Sequence, residues 1–413
     1  MISRVLGPAA SFRGRRFAVQ SAALLAGRVV SNFSLALAAV IAARTLGPEG
    51  RGEFTLVITV ALLLQLAVSS GVNFAARVYV PRGDIDLRAY LGLAIVLSVA
   101  NGLVTAGVVA GALPAAGVHL SGWEILTAGC FGLSTMAAYL LLEGLHTQGR
   151  FRWSAINDAT GSLVTAGLTI GVALVGAATF GPFAWALVIG NGCQIVMSSV
   201  SLRDVGRPTW VRSSAAFLVR RGFPSLGLTI GQTGTGRADR YLVGVILGPT
   251  AVGLYAVAAT VAETLRLLPY AVTMVLFQRV ATSTADDRQR RTARLLGIGA
   301  SAVGAAAVAV VAPVLVRVAF GEDYAGATTA LRILAGGEVV FASYLFDVSI
   351  LTALGRMRSA ALASLAGFSV LLLLDVALLR SWGIAGAAWV SVVAYLVMAT
   401  WSWLELKRKG GSS

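Results

Sequence analysis

The chain is a succession of apolar runs of roughly 20 residues separated by short loops, and that length matches a ~30 Å hydrocarbon core. Such runs predict membrane-crossing helices, at about 18–43, 54–76, 89–112, 123–147, 153–178, 182–202, 223–247, 253–279, 294–319, 327–353, 359–380 and 383–405. Charged residues make up 12% of the sequence, about half the ~25% of a soluble domain. That leaves too little polar surface to face water. Arg13, Arg15 and Arg16 precede an apolar stretch that continues to about Ala43, too long for a signal peptide and suited to a first span. Cys130 and Cys193 lie inside apolar runs and read as buried thiols without a disulfide.

The net charge of +15 is distributed as a topology signal. With the N-terminus inside, Lys and Arg favour the cytoplasmic loops over the opposite side by roughly five to one. Both ends are then cytoplasmic and the number of spans is even. No basic face is large enough to track a phosphate backbone, so no nucleic-acid partner is expected; the loop arginines meet anionic membrane lipids instead. The longest polar segment, 203–222, interleaves arginines with Trp210, Phe217, Leu218 and Val219 and predicts an amphipathic helix on the inner membrane surface. It divides the chain into two six-helix halves, 1–202 and 223–413.

The halves echo each other. Leu46-Gly47-Pro48 with Gly52 and Phe54 matches Leu247-Gly248-Pro249 with Gly253 and Tyr255, and Gly149-Arg150-Phe151-Arg152 matches Gly355-Arg356-Met357-Arg358. The order is the same and the offsets are nearly equal. An all-α protein of twelve transmembrane helices in two pseudo-symmetric bundles follows, related by an axis along the membrane normal.

A charge at the bilayer centre costs from about 2.5 kcal/mol upward, so each one needs a cavity or a partner. Arg28 sits deep in the first span. Its planar fork suits a pyrophosphate or an acidic sugar, and the alternative is a buried ion pair. Arg237, Asp239 and Arg240 lie in a span weakened by Gly231, Gly234 and Gly236, which suggests a helix that opens toward water. Glu263 and Arg266 share a helical face and are placed to neutralise each other. Glu143, Asp158, Glu338, Asp347 and Asp375 complete the set. Glu263, Glu338, Asp347 and Asp375 are the ion-coupling candidates. Arg28, Arg266, Arg237, Asp239 and Arg240 are the substrate-binding candidates. The only histidines are His119 and His146, and there is no metal set, nucleophile constellation or phosphate-binding Gly-Lys loop. Neither a cofactor nor enzyme chemistry is expected.

The stretch Ala43-Arg44-Thr45-Leu46-Gly47-Pro48-Glu49-Gly50-Arg51-Gly52-Glu53-Phe54 resembles the first outer loop of bacterial oligosaccharide flippases. So does Phe320-Gly321-Glu322-Asp323-Tyr324 leading to Leu331-Arg332-Ile333-Leu334, and so does Asp239-Arg240-Tyr241-Leu242-Val243-Gly244 followed by Gly253-Leu254-Tyr255. Together they resemble the polysaccharide-transport branch of the multidrug/oligosaccharidyl-lipid/polysaccharide exporter superfamily, over essentially the whole chain. The resemblance implies a V-shaped cavity between two bundles and alternating access. It also implies a polyprenyl-pyrophosphate-linked oligosaccharide moved across the bacterial inner membrane, with cationic residues of spans one and eight, here Arg28 and Arg266, lining the cavity. A monomer is expected, with a glycan polymerase or ligase as a partner. The rival functions are a multidrug/cation antiporter of the same fold, with a more acidic cavity, and a membrane glycan polymerase or ligase.

Overall fold

The computed structural model describes residues 8–177, 179–270, 272–273, 276 and 287–408. Arg4, Arg279 and Lys409, and the end of the expected eighth span, lie outside the described residues. Among the described residues every regular element is helical.

Two helical runs are too long for a single crossing. Pro8–Val68 has 61 residues and Met357–Lys407 has 51. A straight helix of the first length would be about 90 Å long, roughly three hydrocarbon thicknesses. Each run is broken at one non-helical glycine, Gly47 (φ 68°, ψ 178°) and Gly383 (φ 57°, ψ −151°), and so supplies two spans. The first two spans are 8–46 and 48–68, and the last two are 357–382 and 384–407. Spans three to six are Leu87–Ala112, Gly122–Thr147, Phe151–Leu174 and Phe180–Ser201. The seventh is Leu226–Thr235 followed, after a break, by Ala238–Leu247. The eighth opens with Pro249–Glu263 and runs on through the 3₁₀ turn Thr264–Arg266. Asp287–Phe320 and Ala327–Ala353 are the ninth and tenth. The protein is thus a twelve-span, two-lobed helical membrane protein. Large apolar side chains such as Leu174, Val310 and Leu373 stand exposed on its outside, as lipid-facing residues must.

The repeated motifs adopt repeated conformations. Gly248 (φ 88°, ψ 174°) matches Gly47 and likewise precedes a proline that starts a helix. This left-handed, extended geometry excludes a Cβ at low cost, which explains the glycine in both turns. At the opposite face Gly149 N donates to His146 O (3.0 Å) and Arg150 N to Leu145 O (2.9 Å). In the second lobe Gly355 N donates to Thr352 O (3.0 Å) and Arg356 N to Leu351 O (2.8 Å). The side chains repeat the pattern. Arg150 pairs with Asp204 just past the sixth span, and Arg356 pairs with Glu405 (2.9 Å) at the end of the twelfth.

The lobes share an apolar core at one face. Where the Gly-Pro hairpins lie, Ala42, Phe54 and Phe180 of the first lobe join Tyr255, Tyr324 and Leu331 of the second in one apolar core. At the arginine-rich face each lobe has a core of its own, around Tyr90 and Leu145 in the first and around Phe341, Tyr344 and Phe346 in the second. The joint is close. A Cβ on Gly52 would lie 1.8 Å from the carbonyl oxygen of Pro249, and one on Gly253 would lie 1.9 Å from that of Pro48. Each hairpin thus presses the backbone of its counterpart into the space a side chain would fill. Two polar contacts reinforce the seal: Arg44 Nε donates to Ala319 O (2.7 Å) at the C-terminus of the ninth span, and Tyr324 Oη to Ala43 O (2.8 Å).

The expected surface helix at 203–222 is shorter and faces differently. It is helical over Arg212–Gly222, and its apolar residues turn toward protein: Ala215 and Leu218 are buried in the first lobe's core. The Phe217 ring meets Tyr79 edge-on at 4.9 Å. Burying a stripe against a preformed apolar surface satisfies the amphipathic pattern as well as lipid does, so the periodicity could not distinguish the two. Trp210 and Phe223, beyond each end, remain exposed.

Candidate functional site

Charged residues inside the spans sort into those already neutralised and those that are not. In the first lobe Glu143 receives a bidentate pair from Arg77 and lies 3.5 Å from His146 Nδ1. Asp158 accepts from Ser31 Oγ (2.9 Å) and Gln194 Nε2 (3.3 Å).

The second lobe holds a denser network where the seventh span breaks. The break at Gly236 and Arg237 places Asp239 in the first turn of the following helix. Asp239 is buried and accepts from its neighbour's backbone, Arg240 N (2.7 Å), and from Tyr255 Oη (2.7 Å). Ser391 Oγ lies 3.2 Å from Tyr255 Oη and completes the cluster. Arg240 pairs with Glu263. Arg266 donates Nε to Glu338 Oε2 (2.6 Å) and Nη2 to Oε1 (2.7 Å), then to Tyr395 Oη (2.9 Å), with its guanidinium 4.2 Å from the centroid of Phe341. The expected Glu263–Arg266 neutralisation is therefore corrected. The two share a helical face, but each finds a partner on another span. Arg266 is enclosed by an acid and two aromatic rings and presents no free fork to a substrate. Because Glu338 is almost fully buried, Glu338→Gln should leave an uncompensated cation and cost about 3 kcal/mol, read as a lower Tm in detergent.

Three groups stand apart. Arg28 is exposed in the first span and makes no ion pair among the described residues. Its electrostatic neighbours include Tyr139 in the fourth span and Tyr270 in the eighth, one in each lobe. Arg237 is half-buried at the break and among the described residues pairs with no acid, although Glu263 and Asp239 are among its charged neighbours. Asp375 is fully buried in the eleventh span, and neither carboxylate oxygen has a hydrogen-bond partner. Among the described residues Asp239 is a charged neighbour of it. Of the other expected coupling acids, Glu263 and Glu338 are paired as described, and Asp347 holds Arg294 at 2.9 Å. The tyrosines around these charges, Tyr139, Tyr255, Tyr270 and Tyr395, were not among the expected site residues. Tyr255 alone carried a signal, as part of the repeated Gly253-Leu254-Tyr255 segment.

The profile of a family described as polysaccharide biosynthesis protein matches residues 41–329. Among solved structures, the chain resembles the lipid II flippase MurJ in an inward closed conformation, with a TM-score of 0.76 at 13% identity over 94% of this chain and 87% of that one. It also resembles an inward-facing multidrug resistance MATE family transporter of the MOP superfamily, with a TM-score of 0.71 at 14% identity over 92% and 96%. A third is a MOP superfamily transporter from Pyrococcus furiosus, described as having a binding pocket of reversed polarity that suggests a different function, with a TM-score of 0.59 at 16% identity over 95% and 94%. These likenesses concern the fold. No curated protein sequence matches the chain.

Proposed function

This chain belongs to the polysaccharide biosynthesis protein family, and from that premise we propose that it flips a polyprenyl-pyrophosphate-linked oligosaccharide across the bacterial inner membrane. One observation carries the reading: Arg28 is an exposed guanidinium without an ion pair among the described residues, it has electrostatic neighbours in both lobes, and the lobes share their apolar core at the hairpin face. The arginine-rich face and both termini are cytoplasmic in this reading, so a cavity between the lobes opens inward. A pyrophosphate entering it meets a bidentate donor that never loses its charge. Arg237 offers a second cation deeper in. The lipid tail stays in the bilayer while the lobes rock, closing the arginine-rich face and opening the hairpin face. Arg266 shapes the cavity wall through Glu338 and has a supporting role.

Asp375 is the coupling carboxyl in this scheme, with Asp239 beside it. An anionic Asp375 stands without a counter-charge in a low-dielectric site, a cost relieved when a proton or metal cation arrives. Glu263, Glu338 and Asp347, each holding an arginine, are structural. A multidrug/cation antiporter of the same fold fits less well, because the exposed, unpaired charge with neighbours in both lobes, Arg28, is a cation. A glycan polymerase or ligase is a partner here, not the activity of this monomer.

The test is reconstitution. Vesicles carrying the protein and a fluorescent polyprenyl-pyrophosphate disaccharide should exchange the label between leaflets faster than empty vesicles do, and equal rates would refute the proposal. In the same vesicles Asp375→Asn should remove any dependence of flipping on an imposed proton or sodium gradient. A gradient response equal to wild type rules Asp375 out as the coupling group.

A further inference from the structure

Arg51 has no part in the site described so far, and it is placed where a cation is least comfortable. It lies in the first turn of the second span, at the positive end of that helix's dipole. Its side chain is more than nine-tenths buried, at 8% exposure, and Nε has no hydrogen-bond partner. Among the described residues no acid pairs with it. Glu49 and Glu53 of the same turn do not, and Glu53 instead has Glu49 and Glu124 as its charged neighbours. Its guanidinium carbon lies over the Phe54 ring, 5.5 Å from the centroid. Across the lobe boundary its electrostatic neighbours are Tyr324, whose hydroxyl is committed to Ala43 O, and another cation, Arg240. The N-terminus of the eighth span meets this turn through the Gly52 and Gly253 contacts, adding a second positive helix end.

We infer that Arg51 and these two helix N-termini form an oxyanion subsite at the outer seal, which takes the substrate's pyrophosphate as the hairpin face opens. The inference rests on the flippase reading and adds an exit site to it. Counting helical rise from the Gly-Pro turns, Arg28 lies about 28 Å below the seal, Arg237 about 16 Å, Arg240 about 12 Å and Arg51 about 5 Å. The arginines form a descending series, and the last of them is sealed in and unpaired in this conformation. An anion arriving there supplies the missing counter-charge. Opening the hairpins supplies water. Both relieve the same unfavourable burial, so anion arrival and outer opening favour each other.

The experiment uses the full chain in nanodiscs, with spin labels at His119→Cys and Asp323→Cys on a Cys130→Ser, Cys193→Ser background. These positions lie on outer loops of opposite lobes. Inorganic pyrophosphate is the probe. In the otherwise unaltered chain pyrophosphate should populate longer label distances. In Arg51→Gln the half-maximal concentration should rise at least about tenfold, and Arg51→Lys, a point charge without the fork, should fall between. Arg51→Gln should also melt at a higher temperature than the unaltered chain without pyrophosphate, since it removes an unpaired buried charge. Absence of opening in the unaltered chain, an unshifted response in Arg51→Gln, or a lower Tm in that variant overturns the subsite. Failure of the flippase reading shows separately, as an unaltered protein that does not accelerate lipid exchange.

Discussion

Gly253→Val should hold the two lobes apart at the hairpin face and cut export by about one to two orders of magnitude. The reason is steric. At Gly253 even a methyl carbon would stand 1.9 Å from the Pro48 carbonyl oxygen, and at Gly52 it would stand 1.8 Å from that of Pro249. The obstructing atoms are backbone, so no rotamer change relieves the clash. Overpacking of this kind costs about 1–3 kcal/mol where the structure can yield, and it burdens only the conformation in which the hairpins touch. The state open at the hairpin face is spared, so the protein should still fold and insert. Because the two contacts are reciprocal, Gly52→Val should behave alike. Distances between labels on the two hairpins would show the shift, and unchanged distances with normal export would refute this account of the seal. Arg44→Ala removes a weaker tie to the same face and should act in the same direction with a smaller effect.

Arg28→Ala should abolish export while leaving the fold intact. A bidentate, charge-assisted contact of about 3–6 kcal/mol is lost, which is more than a hundredfold in affinity. Stability should change by no more than about 0.5 kcal/mol, because the side chain is exposed and has no partner to abandon. Arg28→Lys should keep part of the activity through its charge. Arg266→Ala should do the reverse of Arg28→Ala in one respect: it strands the buried Glu338 and lowers the Tm. Measuring transport and melting on both variants separates a substrate contact from a structural one. Normal surface glycan in cells carrying Arg28→Ala would end its assignment.

Arg28 and Arg266 looked alike as isolated cations in apolar runs at similar depth. What separates them is Glu338, 72 positions along the chain from Arg266, and no local pattern reports a pairing at that distance. The same holds for Glu263, whose spacing to Arg266 suits an ion pair but whose partner is Arg240. Helical spacing says which groups share a face. It does not say which neighbouring span offers a better-placed opposite charge.

The number of spans, the doubling of the fold and the turns that join the spans were all legible in the residue order. They depend on local quantities: the length of an apolar run against the bilayer, the backbone freedom of Gly47 and Gly248, and the distribution of loop arginines. Whether a charge is spent or free, which face of the lobes is sealed, and whether the linker helix lies on lipid or on protein were settled only in three dimensions. Those outcomes turn on contacts between segments far apart in the chain, where a difference of one ångström or one carboxylate reverses the result.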